Sequence, residues 1–218
     1  MAGYSESHNP STGDFGEGVS LGFATSLSDH TVLTASYLNQ GNNNDDSDSW
    51  NGKGSYAELG AGRYTVFGGE ELGAAEIIAG VGYMSIKNKR DFEYVNVELL
   101  KPYIQPCIGI SHEIIDIAFI PRIAYITYLS SDYRLADTAE QLEVGRFFDE
   151  KKNTLVLEPG FMVRLGYKHV KVNFQYGLST FNYKSNYAED FEPYYNRHVH
   201  LGLNFLITDR FLLPEKKE

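Results

Sequence analysis

The segment LEPGFMVRLGYKHVKVNFQYGLS, residues 157–179, alternates between apolar and polar residues almost without a break. Leu157, Pro159, Phe161, Val163, Leu165 and Tyr167 share one face, and Glu158, Gly160, Met162, Arg164 and Gly166 share the other. A period of two residues belongs to a β-strand, whose successive side chains leave opposite faces. The alternation resumes after Lys168 and His169 with Val170, Val172, Phe174, Tyr176 and Leu178. Two long strands joined by a tight turn account for the whole segment.

The same signal recurs along the chain. Strands are expected at about 1–7, 17–28, 31–40, 54–67, 74–87, 94–112, 114–129, 153–167, 169–181 and 196–207. The 16 Tyr, 13 Phe and 21 Gly favour this all-β reading. Short links at 28–30, 68–73, 112–116 and 167–169 alternate with longer polar links at 8–16, 41–53, 88–93, 130–152 and 182–195. In an up-and-down meander, such alternation puts the short links at one end and the long ones at the other. The expected fold is a closed, antiparallel, up-and-down transmembrane β-barrel of about ten strands. It has short periplasmic turns and long extracellular loops. Residues 1–207 form a single barrel domain and 208–218 a polar tail. A short helix is expected at 134–144 inside the longest link, where Leu135, Ala139 and Leu142 share a face, and outside the barrel.

Alternation alone does not say which face meets water. A lipocalin-like barrel turns its apolar face inward to carry a hydrophobic ligand, and a membrane barrel turns it outward. The polar face carries small residues, among them Ser20, Gly22, Ala24, Gly60, Gly62, Gly80, Gly82 and Gly109, which suit a crowded interior. Its charges are single and mixed in sign: Glu58, Glu76, Arg122, Glu158, Arg164 and Lys171, with His200. Basic residues facing lipid cost about 2–4 kcal/mol each at mid-depth, so these side chains are expected to form a paired charge network in the lumen. Tyr64, Tyr83, Tyr125, Tyr167 and Tyr176 recur towards strand ends as an interfacial girdle. Arg63 falls on the apolar face near a short turn, from which it can snorkel. Pro102, Pro106, Pro121 and Pro159 lie within strands; because a closed barrel has no edge to hold them, bulges are expected there. The phase of the sixth strand slips around 98–102.

Several functional classes are disfavoured. The net charge of −10 argues against nucleic acid, which needs clustered Lys and Arg. The single Cys107 excludes an internal disulfide framework and a multi-cysteine zinc site. The chain has no apolar run long enough for a transmembrane helix. Asp45, Asp46 and Asp48 offer oxygen ligands for calcium, but without the ordered loop pattern a solvated loop is the better reading. His198 and His200 share a face at strand spacing and could ligate a metal. A protease at the outer rim would draw on His8, Asp14, Asp132, Asp190 and His198, yet no spacing among them marks a nucleophile, base and orienter. No enzyme activity, metal or cofactor is expected.

The stretches KPYIQPCIGI, IDIAFIPRIAY and VLEPGFMVRLGYKHVKVNFQYGLS resemble a group of small outer-membrane β-barrel proteins of Gram-negative bacteria, many described as lipoproteins. The likeness runs from about Phe15 to Ile207. It implies an outer-membrane location and an export signal upstream of Met1, and it brings no activity. The last strand, HVHLGLNFLI, is similar to the signal read by barrel-assembly machinery, with Gly202 followed by Leu203, Phe205 and Ile207. The expected role is accessory or structural, surrounded by outer-membrane lipid. A protein partner is expected to bind through the long loops, where Tyr183, Tyr187, Phe191, Tyr194 and Tyr195 offer an aromatic contact surface.

Overall fold

The computed structural model describes residues 2–8, 15–28, 30–41, 51–68, 73–150, 152–167, 170–179 and 197–205. The strands are β1 (Ala2–His8), β2 (Phe15–Ser28), β3 (Thr31–Gly41), β4 (Asn51–Phe67), β5 (Gly73–Arg90), β6 (Glu93–Ser111), β7 (Ile115–Phe119) and β8 (Arg122–Arg134). Helix α1 (Thr138–Glu150) follows, then β9 (Asn153–Glu158), β10 (Gly160–Tyr167), β11 (Val170–Leu178) and β12 (Arg197–Phe205). They form one curled antiparallel sheet in the order β5-β4-β3-β2-β1-β12-β11-β10-β7-β6-β8-β9, and β5 also pairs with β6.

There are twelve strand segments instead of ten because two expected strands are interrupted, at Ile120–Pro121 and at Pro159. The register is unchanged across both interruptions. Ile104 faces Ile123 on one side and Ile108 faces Phe119 on the other. Likewise, Arg122 faces Glu158 and Phe119 faces Phe161. Pro106, Pro121 and Pro159 therefore fall in one row across three neighbouring strands. Each lacks an N–H, so the ladder opens along that row with no residue inserted. The bulges expected at these prolines do not occur. The irregularity of this region is at Leu129, since Glu98 faces Ser130 while Leu99 faces Tyr128. The slip expected in β6 thus belongs to its partner β8; β6 stays in register with β5 from Glu93 to Ile110.

The link expected at 88–93 is a tight turn of Asp91 and Phe92, with Asp91 at φ 50. Aspartate adopts this left-handed conformation more readily than most side chains do. The strand ends joined by the expected short links lie at the other end of the sheet.

The apolar face is the outer one. Leu59 is 65% exposed and Phe23 60%, while Glu158 is 8% exposed and Lys171 7%. Phe161, Leu165 and Leu203 are also exposed, so the inward-turned apolar face of a ligand carrier does not occur. Arg63 is exposed on the outer face, as expected. Tyr64 is not part of an outer girdle. It shares the inner parity of β4, and its hydroxyl lies 3.2 Å from Ser26 Oγ.

Helix α1 packs on the inner face, contrary to the expectation that it lies outside. Val144, Phe147 and Phe148 join Val95, Val97, Leu99, Ile126, Tyr128 and Val156 in the main apolar cluster. The strand residues of that cluster have the same parity as the buried charges. Residues 144, 147 and 148 form the i, i+3, i+4 stripe of a helix face. The sequence reading ended the helix at 144 and missed the two phenylalanines that dock it; Leu142, placed on its apolar face, is exposed. Both phenylalanines meet Tyr128 edge-on, with centroids 5.9 and 5.2 Å away. Asp137 caps the helix by accepting from the Ala139 N–H at 2.7 Å. Glu93 anchors the approach to the helix, accepting from the Ala136 N–H at 2.7 Å and from Arg90 Nε at 2.8 Å.

Phe147→Ala is expected to weaken docking of α1 by about 3–5 kcal/mol, read as faster hydrogen exchange in 138–150 with the β-sheet amides unchanged. The Ala136 N–H, with Arg90 adding to it, holds the Glu93 carboxyl below its usual range against the cost of burial. A depressed carboxylate stabilises the fold above its ordinary pKa and loses that effect as pH falls through the depressed value. Glu93→Gln should therefore speed proteolysis of the 135–152 segment at neutral pH, and the difference from wild type should shrink in acid.

Candidate functional site

The inner face below α1 is a layer of charges. On β6 the inward residues change from Val95, Val97 and Leu99 to Lys101, Tyr103 and Gln105. Gly80 and Gly82 of β5 leave room beside them. A Cβ at Gly80 would collide with the Tyr103 ring, and one at Gly82 with the Tyr56 ring. The two tyrosines lie flat against the wall and give the cations an aromatic floor.

Arg122 is the hub. Its Nη1 donates to Glu58 Oε2 at 2.9 Å and its Nη2 to Glu58 Oε1 at 3.3 Å. Nε and Nη2 both reach Gln105 Oε1, at 2.8 and 2.6 Å. The guanidinium carbon sits 4.1 Å from the Tyr103 ring centroid, within the range of a cation–π contact. The Tyr56 hydroxyl donates to Glu58 Oε2 at 2.7 Å. Beside this group, Lys101 Nζ donates to Glu158 Oε1 at 2.7 Å, with both side chains buried.

A second group lies towards the short-link end. Asp116 accepts from Lys171 Nζ at 2.9 and 3.0 Å and from Ser111 Oγ at 2.7 Å. Arg164 Nε lies 3.0 Å from Asp116 Oδ2. Lys171 also donates to the His112 carbonyl at 3.2 Å. His200 joins neither ionic group. Asn173 Nδ2 donates to its Nδ1 at 3.2 Å, which leaves Nε2 to donate to Ser20 Oγ at 2.6 Å.

Of the residues expected in the network, Glu58, Arg122, Glu158, Arg164 and Lys171 all form ion pairs. Glu76 is half-buried, facing Cys107 across the ladder, and makes no ion pair with a described residue. Lys101 and Asp116 were missed. Lys101 lies where the strand phase had been read as slipping, and Asp116 had been assigned to a turn. Unbroken alternation from Glu93 through Cys107 is the signal that recovers Lys101. The proposed contact residues Tyr183, Tyr187, Phe191, Tyr194 and Tyr195 lie outside the described residues, as do Asp14, Asp45, Asp46, Asp48, Asp190 and the side chains of His8 and His198. Asp132 is exposed on β8, with the Tyr94 hydroxyl 3.4 Å away. Among the described residues, no group of three or more His, Cys, Asp or Glu side chains is placed to hold a metal.

No protein family and no curated protein matches the chain. Among solved structures it is similar to the NanC porin in a rhombohedral crystal form, at 10% identity and a TM-score of 0.38, over 94% of this chain and 99% of that one.

Breaking a buried pair leaves an uncompensated charge, whereas replacing both partners with apolar groups is often near neutral. Lys101→Met is expected to lower stability by about 3–5 kcal/mol and Lys101→Met/Glu158→Leu by much less, measured by urea unfolding of the two variants.

Proposed function

We propose that this chain is an outer-membrane β-barrel whose lumen is blocked by its own side chains. Its role is non-enzymatic, accessory or structural, and it engages a protein partner from the end that carries the long links. The observation that carries this reading is the inversion of the two faces: large apolar side chains outside, charges inside. In water, such an outer face would be an aggregation surface; in a bilayer it is the low-energy one.

The outer wall has the dimensions of a bilayer. The outward residues of β6 are Leu100, Pro102, Ile104, Pro106, Ile108 and Ile110, eleven positions from first to last. A tilted strand crosses the hydrocarbon core in about 9–11 residues. Beyond Leu100 the outward residues become Glu98, Asn96 and Tyr94, with Lys87 and Lys89 beside them on β5. The strands therefore continue past the apolar band, and α1 covers the inner face of that extension. Closure of the sheet is supported by two ladders, β1 with β12 and β5 with β6. With both in place, β9 (Asn153–Glu158) is the one described strand paired on a single side.

A non-conducting, non-catalytic interior is supported by the ion pairing of its charges, Glu76 apart. Arg122, Lys101, Lys171 and Asp116 each spend their charge on a partner in the wall. The surface left for recognition is the long-link end.

The chain should stay monodisperse only in detergent or lipid and give no channel steps in a planar bilayer. Ile104→Arg should lower folding stability in vesicles by about 2–4 kcal/mol, with little effect from Lys87→Glu above the band. Monodispersity without detergent would overturn the membrane reading, and regular conductance steps would overturn the blocked lumen.

A further inference from the structure

We propose that the outer face of β3, β4 and β5, towards the long-link end, is a binding site for a phosphate-bearing membrane lipid. The site joins an apolar furrow in the bilayer band to a lysine cluster above it. It rests on the membrane reading and goes beyond the general contact that any such wall makes with lipid.

The furrow comes from two small residues in a wall of large ones. Ala35 on β3 and Ala57 on β4 have outward parity, and large side chains flank each of them across the ladder. Phe23 and Leu59 face Ala35, while Tyr37 and Tyr83 face Ala57. The missing side-chain volume leaves an open groove of about 700 Å³ that runs from β2 to Leu100 of β6. Its outward walls are aliphatic and aromatic, the kind of surface an acyl chain packs against.

The chemistry changes in two steps towards the long-link end. The next outward row holds Asn39, Ser55 and Ser85, with Ser55 facing both of the others. These are hydrogen-bonding groups at the edge of the apolar band, where the ester linkages of a lipid lie. Above them stand Lys53, Lys87 and Lys89. Lys53 faces Lys87 directly across the β4–β5 ladder, and Lys89 follows on the same face. All three are exposed. Among the described residues, none of them has an ion-pair or side-chain hydrogen-bond partner.

Like charges set opposite each other in a ladder destabilise it. The Lys53–Lys87 pairing is therefore unfavourable in the empty wall and is relieved by an anion. The chain holds 29 acidic residues against 19 basic ones, yet no described acid takes these lysines. Glu98 lies diagonal to Lys87 and accepts from Ser130 Oγ at 3.3 Å. Glu17 and Asp132 stand on the same face two strands away, beyond Gly41 and Asn96. The lysine row is four residues above the Ala57–Tyr83 row, about 13 Å at about 3.3 Å per residue. Flexible lysine stems shorten that gap by leaning towards the membrane. One lipid can then set its phosphate on the lysines and an acyl chain in the furrow.

The test is competition between phosphatidylglycerol and phosphatidylcholine for the full-length, detergent-folded chain, with bound lipid read by native mass spectrometry. A lysine near a lipid surface favours anionic lipid by about fivefold. Wild type should retain phosphatidylglycerol in preference to phosphatidylcholine. Lys53→Gln should lower that preference about fivefold, and Lys53→Gln/Lys87→Gln about twenty-five-fold. Ala57→Trp, which fills the furrow, should lower phosphatidylglycerol retention severalfold while strand circular dichroism is retained. The exposed lysine substitutions keep the test decisive if Ala57→Trp fails to fold. Absence of a preference in the folded wild type would overturn the proposal, as would an unchanged preference in the folded double variant or undiminished retention in folded Ala57→Trp. Inorganic phosphate that displaces phosphatidylglycerol at equal concentration would overturn it too, because the ligand would then be a soluble anion. A chain that folds in detergent without lipid preference loses this site and keeps the membrane reading; a chain that is monodisperse without detergent loses the membrane reading itself.

Discussion

A wall whose outer face is apolar leaves its charged side chains only the inside, and there they must find one another. This constraint organises the interior. Charge taken from water into a narrow polar core is tolerated only when paired and hydrogen-bonded. Arg122 meets it with a carboxylate, an amide oxygen and an aromatic face at once. Its bond to Glu58 joins β8 to β4, passing over β5 and β6. That path is open only because Gly80 and Gly82 leave β5 bare and let Tyr56 and Tyr103 lie flat. The small inner residues and the long cations are thus two halves of one packing solution.

The backbone obeys the same logic. Proline removes a ladder donor, and three of the strand prolines fall in a single row across β6, the β7–β8 strand and the β9–β10 strand. Pro121 lies opposite both Pro106 and Pro159, and the register survives on either side. Neighbouring groups stay paired: the Ile120 N–H donates to the Gly160 carbonyl at 2.8 Å and the Leu178 N–H to the Pro159 carbonyl at 3.0 Å.

Helix α1 separates two regimes of the interior. Above the apolar band, the inner face is closed by packing, with Phe147 and Phe148 set into a cluster of aliphatic and aromatic strand residues. Gly145 serves this contact, since a Cβ there would press on the Tyr133 hydroxyl. Below, the inner face is closed by ion pairs. Apolar packing serves the part beyond the bilayer band, where the outer side is polar, and ion pairing serves the part whose outer side is apolar.

Strand positions and the identity of the outward face were legible in the amino-acid sequence. Each is set by side-chain parity within one strand, and parity is a local property. Five of the seven expected lumen residues form ion pairs for the same reason. What parity does not carry is which strand lies two or three places away on the wall, so the partners of Lys171 and Arg122 depended on the curl of the sheet. The proline row, the bulge at Leu129 and the inward docking of α1 are likewise relations between strands or between a helix and the sheet. They were decided only by tertiary structure, because no single stretch of chain records the register of its neighbours.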